Sequence, residues 1–160
     1  MRKQIDKIIA RLLVVLMALM LLQVVWQVVS RYLLAHPSSF TDELSRYLLI
    51  WIGILGAAYT MGQKLHLSIT ILPEKLNAKN KIRIEMLINA IIFLFSVSVL
   101  VIGGMRLVYI TLTLGQTSSA LLIPLWIIYS VLPFSGLLTC YYCISNILNL
   151  QTEAGRDGKY

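Results

Sequence analysis

The sequence predicts an all-α integral membrane protein: four transmembrane helices, with the amino and carboxyl termini both in the cytoplasm. Three observations carry this reading. The 160 residues are 58% hydrophobic and only 13% charged, about half the charged fraction of a soluble domain. The apolar residues fall in uncharged runs long enough to cross a hydrocarbon layer of roughly 30 Å. The Lys and Arg residues collect at the ends of those runs, mostly on one side. An excess of 14 Lys+Arg over 7 Asp+Glu would also suit nucleic acid, but no basic stretch carries interleaved aromatics. We therefore expect membrane lipids as partners and no nucleic acid. Residues 1–150 read as one four-helix membrane domain and 151–160 as a cytoplasmic polar tail.

The first span is placed at 10–34. Arg2, Lys3, Lys7 and Arg11 precede the uncharged run Leu12–Ser30, as in a secretion signal. That run exceeds a signal core of roughly 7–15 residues, and it ends at Arg31-Tyr32 without a small-residue cleavage site. The second span, 42–64, is built on the run Tyr47–Gln63. Thr41 is suited to cap it, and Asp42 and Glu43 fall in its first turn, where carboxylates complement the helix dipole. The third span, 84–114, starts from Met86–Met105 and continues past Arg106. The uncharged stretch from Leu107 to Thr152 is too long for one helix and divides at Gly115-Gln116-Thr117-Ser118-Ser119, its turn-like cluster. Pro124 suits the first turn of a fourth span, 123–148, and Pro133 is positioned to kink it.

Orientation follows from the cations. Four lie in the amino-terminal tail, and Lys64, Lys75, Lys79, Lys81 and Arg83 lie in the second connection. The other side has Arg31, Arg46 and Arg106, each at a helix end. The amino terminus, the 64–85 connection and the carboxyl terminus are thus expected inside, with the 35–41 and 115–119 loops outside. In the 64–85 connection, Leu65, Leu67, Ile69 and Ile71 alternate with His66, Ser68 and Thr70, a pattern open to a strand or an interfacial segment. Its lysines would lie near anionic headgroups.

Polar side chains inside a span are costly and turn toward protein. On the first helix, Gln23, Gln27, Ser30 and Arg31 gather on one face. On the second, Arg46, Gly53, Gly56, Thr60 and Gln63 form a stripe of small and polar residues of the kind that lets membrane helices approach closely. Two readings stay open: packing among the four helices, or a docking face for another membrane subunit. The densest charge cluster, Asp42-Glu43-Leu44-Ser45-Arg46, sits at the outer end of the second helix. Glu43 and Arg46 are spaced to pair, and Arg31 is expected beside them. Arg46 needs a partner so close to hydrocarbon, so a structural ion network is expected, within the chain or between subunits.

Three chemistries are tested by the residues themselves. Cys140-Tyr141-Tyr142-Cys143 has redox spacing, but it lies in the inner half of a continuous helix, where a disulfide would be strained. Buried small hydrophobes are the better reading, and a membrane thiol-redox enzyme is the weakest alternative. Haem ligation would need facing histidines, whereas His36 and His66 are in loops on opposite sides. A proton-coupled exporter would need an acid deep in a span, and every Asp and Glu is near a helix end or in a loop. Nor is there a pair of broken half-helices of the kind that form midplane transport sites. A chain that spans four times without a permeation site reads as a subunit, with a self-associating structural membrane protein as the alternative. No catalytic, substrate, metal or cofactor residues are expected in it.

Phe40-Thr41-Asp42-Glu43-Leu44-Ser45-Arg46-Tyr47, followed by Trp51, Gly53 and Gly56-Ala57-Ala58, resembles the second helix of the small membrane subunit of tripartite ATP-independent periplasmic (TRAP) transporters, the DctQ-type family. Gly62-Gln63-Lys64-Leu65-His66-Leu67 is similar to that family's exit from the helix. Ala120-Leu121-Leu122-Ile123-Pro124-Leu125-Trp126-Ile127-Ile128-Tyr129, with Pro133 beyond, resembles its fourth-helix entry. The resemblance runs from the first helix to about Leu148. Phe40 departs from the Trp common at that position, keeping the ring and losing the indole N–H. The resemblance implies a bacterial inner-membrane complex with a large multispan subunit that carries substrate and sodium by an elevator motion. A periplasmic binding protein would deliver an organic acid, with sialic acid or another sugar acid favoured. The small subunit would brace the scaffold and help form the docking platform, without contributing a substrate or sodium ligand. The residues expected at such an interface are Gln23, Gln27, Arg31, Asp42, Glu43, Arg46, Gly53, Gly56 and Thr60.

Overall fold

A computed structural model describes residues 2–33, 39–63 and 78–157, with side chains described for 2–33, 39–63 and 83–150. Helix α1 runs Arg2–Tyr32 and α2 Ser39–Gly62. The third span is α3, Ala78–Phe95, a π-helical segment Ser96–Gly103, and α4, Gly104–Thr113. The fourth is a short α5, Leu125–Tyr129, followed by α6, Val131–Asp157. Four helical stretches are long and apolar enough to cross a membrane.

One helix start differs from the sequence expectation. Helix α2 begins at Ser39, so Thr41 lies inside the first turn instead of capping it. Helix α3 begins at Ala78, and the stretch of the third span that is apolar enough to cross a membrane, Arg83–Thr113, lies close to the expected 84–114; α6 continues to Asp157. The alternating 65–71 segment and both histidines lie outside the described residues.

The helices pack in the spatial order first, second, fourth, third. The fourth span is the most buried of the four, and the first and third, at the two ends of this order, share no substantial contact among the described residues. Ile9 and Leu13 of α1 pack with Leu55 of α2 and Val131 of α6 in the main apolar cluster. Toward the Gly62 end of α2, Met61 and Cys143 form a second cluster with Ile88, Ile92 and Phe93. With no hydrophobic drive between helices in lipid, close backbone approach and interhelical hydrogen bonds supply the association. The approach is close where the π segment and the start of α4 meet the fourth span. A Cβ on Gly136 would lie 2.8 Å from Leu100 Cβ, and one on Gly104 2.9 Å from Pro133 Cδ. Here Ser96, fully buried, donates to the Gly136 carbonyl at 2.9 Å.

The fourth span breaks at Ser130 for a covalent reason. Pro133 has no N–H to give the Tyr129 carbonyl, and its ring crowds that oxygen. The Ser130 hydroxyl donates back to the Ile127 carbonyl at 2.6 Å, and the helix resumes at Val131.

Candidate functional site

The Ser39 end of α2 is built by hydrogen bonds from two other elements. From α1, the Gln23 amide donates to the Thr41 carbonyl and to Ser45 Oγ, the latter at 2.5 Å. One turn further out, Gln27 Nε2 donates to Asp42 Oδ1 at 2.9 Å. Ser30 closes onto its own helix through the Gln27 carbonyl at 3.0 Å. The α1 stripe is thus directed at α2 and is internal. Arg31, expected to join this cluster, does not: it is exposed and makes no hydrogen bond or ion pair with Asp42, Glu43 or Arg46.

Glu43 and Arg46 do not pair either. Arg46 bridges Asp42 at 2.8 Å, one turn back on the same helix, with both side chains largely in the open. Glu43 instead turns to the loop between the third and fourth spans. Its carboxylate accepts the backbone N–H groups of Ser119, Ala120 and Leu121 at 3.2, 2.7 and 3.1 Å, and the Tyr47 hydroxyl at 2.8 Å. Four donors converge on one carboxylate, the charge-assisted geometry that gives the stronger protein hydrogen bonds. The loop is tied within itself as well. Ser118 N–H donates to the Ile123 carbonyl at 2.9 Å, Leu125 N–H to Gln116 at 3.0 Å, and Thr117 bridges Pro124 in antiparallel fashion. Gly115 at φ 59° and Leu122 at φ 54° supply its two left-handed residues. For Leu122 that conformation is strained, and its side chain is exposed.

The small stripe on α2 behaves differently from the α1 stripe. Among the described residues, nothing lies within 4 Å of a Cβ built on Gly53 or Gly56. Thr60 donates to its own helix, to the Ala57 carbonyl at 2.9 Å. Gly53, Ala57 and Ala58 instead line a largely apolar groove of about 350 Å³, with Phe95, Leu100 and Thr139 opposite. Of the two readings open for this stripe, packing within the chain finds no contact at Gly53 or Gly56 among the described residues. The glycines that pack tightly are Gly62, Gly104 and Gly136.

At the opposite end of the bundle, where α1 begins and α2 finishes, lies a constellation that sequence reasoning missed. Arg2 donates to the Gly62 carbonyl, to Asn146 Oδ1 at 3.0 Å and to Ser145 Oγ at 3.3 Å, with the Tyr142 ring 5.9 Å from its guanidinium carbon. Tyr142 is wholly buried and donates its hydroxyl to Asp6 Oδ1 at 2.6 Å. Three spans are fastened there. Arg2 reads in sequence as one more topogenic cation; the available signal was Asn146 and Tyr142, polar groups that a span does not bury without partners. Midway along, Trp51 Nε1 donates to the Ile128 carbonyl at 3.1 Å, made available where the helix breaks.

Cys140 and Cys143 are buried free thiols packed among apolar side chains. Among the described residues no group of three or more His, Cys, Asp or Glu side chains could hold a metal ion. The arrangement is a set of helix-to-helix fastenings with an uncovered face.

The family model for tripartite ATP-independent periplasmic transporters, DctQ component, matches residues 19–153. The chain is 30% identical over 154 residues to the sialic acid TRAP transporter small permease protein SiaQ of Vibrio cholerae, covering 94% of this chain and 85% of that protein. It is 29% identical over 101 residues to the isethionate TRAP transporter permease protein DctMQ of Oleidesulfovibrio alaskensis, covering 63% of this chain and 16% of that protein. Four apolar spans, polar fastenings at both ends, and a match across nearly the whole length agree: this chain belongs to the DctQ family, the small membrane component of TRAP transporters.

Proposed function

We propose that this subunit braces the large membrane subunit of a sodium-coupled TRAP importer in the bacterial inner membrane, and that its outer end helps dock the periplasmic binding protein. Family membership makes the chain a transporter component and not an enzyme. The observation that carries the bracing role is the uncovered Gly53–Gly56 face beside an apolar groove. Small residues on one face, Gly53 and Ala57 four apart with Gly56 beside them, admit a neighbouring helix at short range, and no other described helix lies within 4 Å of a Cβ at Gly53 or Gly56. The DctMQ relative supports a large partner, since this chain matches only 16% of that permease. Sodium and substrate then bind in the partner. The SiaQ relative favours sialic acid or another sugar acid as the cargo. Both termini and the 64–85 connection lie in the cytoplasm on this reading, which puts Asp42, Arg46 and the 115–124 loop on the periplasmic side.

Gly53→Leu tests the brace. The variant chain is expected to insert and melt as wild type, because the site is open, yet to lose copurification with the large subunit. Retained copurification and uptake would reject this face as the contact. The chain alone is expected not to transport in proteoliposomes. A homo-oligomer in native mass measurements, with no large partner, would favour the self-associating alternative.

A further inference from the structure

The inner third of α1 carries a feature that neither its packing nor the transporter role uses. Lys3, Lys7 and Arg11 are all exposed, and none has an ion-pair or hydrogen-bond partner among the described residues. The carboxylate nearest in sequence, Asp6, is held by the Tyr142 hydroxyl. The next residues on the cationic face are apolar. Lys3, Lys7, Arg11, Val14, Ala18 and Leu21 succeed one another at spacings of four, four, three, four and three, a single stripe along a helix. Val14 and Leu21 are exposed. Ala18 and Leu21 border an apolar hollow of about 450 Å³ with Met17, Met20, Val24 and Ile52. At 1.5 Å per residue the three cations extend over about 12 Å, enough to cross the headgroup layer.

We propose that this stripe is a binding site for one anionic phospholipid, its phosphate held by Lys3, Lys7 and Arg11 and an acyl chain seated in the Ala18 hollow. Charge selects the headgroup, because three unpaired cations on one face match a phosphate diester bearing a net negative charge and disfavour a zwitterion. The hollow selects a lipid over a free phosphate, because it lies on the same face and its lining is apolar. The Ala18 position supplies the recess: a larger side chain there would fill it. A peripheral charge attraction would use the cations alone, so the two halves of the site can be separated.

The test is lipid retention by the full chain with its membrane partner, purified in detergent and titrated with phosphatidylglycerol or phosphatidylethanolamine under native mass spectrometry. Wild type is expected to retain one phosphatidylglycerol in preference to phosphatidylethanolamine, with inorganic phosphate failing to displace it. Lys3→Gln/Lys7→Gln/Arg11→Gln is expected to weaken retention on the order of a hundredfold, from the attraction of three basic residues. Ala18→Phe, with all charges kept, is also expected to lose the retained lipid. Unchanged retention in the triple variant overturns the site, as does displacement by inorganic phosphate. Loss in the triple variant with full retention in Ala18→Phe would reduce the stripe to diffuse charge attraction and overturn it too. All three residues are exposed, so folding is checked by melting in phosphatidylethanolamine alone, where wild type and variants should coincide. Because the readout is lipid mass and not uptake, failure here leaves the bracing reading untouched.

Discussion

Glu43 and Arg46 sit one turn apart on α2, and the spacing that invites them to pair does not decide what each does. Arg46 finds Asp42, also one turn away, in an exposed pair of a kind that contributes at most about 0.5 kcal/mol. Arg46→Ala should therefore leave the melting temperature of the isolated chain unchanged within error; a loss of complex assembly in the same variant would place Arg46 at a contact with a partner. Glu43 meets three consecutive N–H groups of the 119–121 loop, and an amide there would present one acceptor and set its own N–H₂ against donors. Glu43→Gln should lower the melting temperature and speed hydrogen exchange at Ser119, Ala120 and Leu121 while leaving the inner half of α6 protected. Unaltered exchange at those three amides would show that the loop holds its shape without Glu43. The sequence placed Asp42, Glu43 and Arg46 together at a helix end because charge clustering is local. It could not assign Glu43 its partners, since those are backbone groups that carry no residue signature and come from a loop beyond the third span.

At the scale of elements, the same limit appears in the glycines. Composition marks Gly53 and Gly56 as a packing stripe as readily as it marks Gly104 and Gly136, yet a Cβ on either of the first two meets open space, and one on either of the second two meets side-chain atoms below 3 Å. Hydropathy and charge located the four spans, because twenty-residue apolar runs and cation placement are one-dimensional properties. Which face of a span meets which neighbour depends on rotation and spatial order, and neither is written in spacing alone. A pair of substitutions separates the two classes. Gly136→Ala drives a methyl into Leu100 and Val101 and should cost about 1–3 kcal/mol, the usual range for overpacking, read as a lower melting temperature in detergent. Gly53→Ala should be tolerated by the chain alone. Equal stability of the two variants would mean that the third span can slide relative to the fourth, against the close contact seen at the π segment.

For the molecule as a whole, the packing order makes the fourth span the element on which the others depend. The third span is held through it, and α1 reaches it chiefly at its amino-terminal end, where Arg2 and Asp6 fasten onto Ser145, Asn146 and Tyr142. At its outer end α1 is joined to α2 through Gln23 and Gln27. The first span is thus tied at top and bottom by polar bonds, with the apolar cluster of Ile9 and Leu13 toward the inner side. Loss of one tie should free that end without unfolding the rest. Tyr142→Phe keeps the ring that fills the space beside Gly62 and removes only the hydroxyl that donates to Asp6. A bond to a charged acceptor is worth about 1.5–3 kcal/mol when its partner is stranded. The variant should therefore lose stability by an amount of that order, and a cysteine crosslink between positions 2 and 146 should form less efficiently. A crosslink between positions 23 and 45, at the outer tie, should form as in wild type. Weakening of both crosslinks together would mean that the four spans move as one rigid unit, and that the inner fastening sets the position of α1 along its whole length.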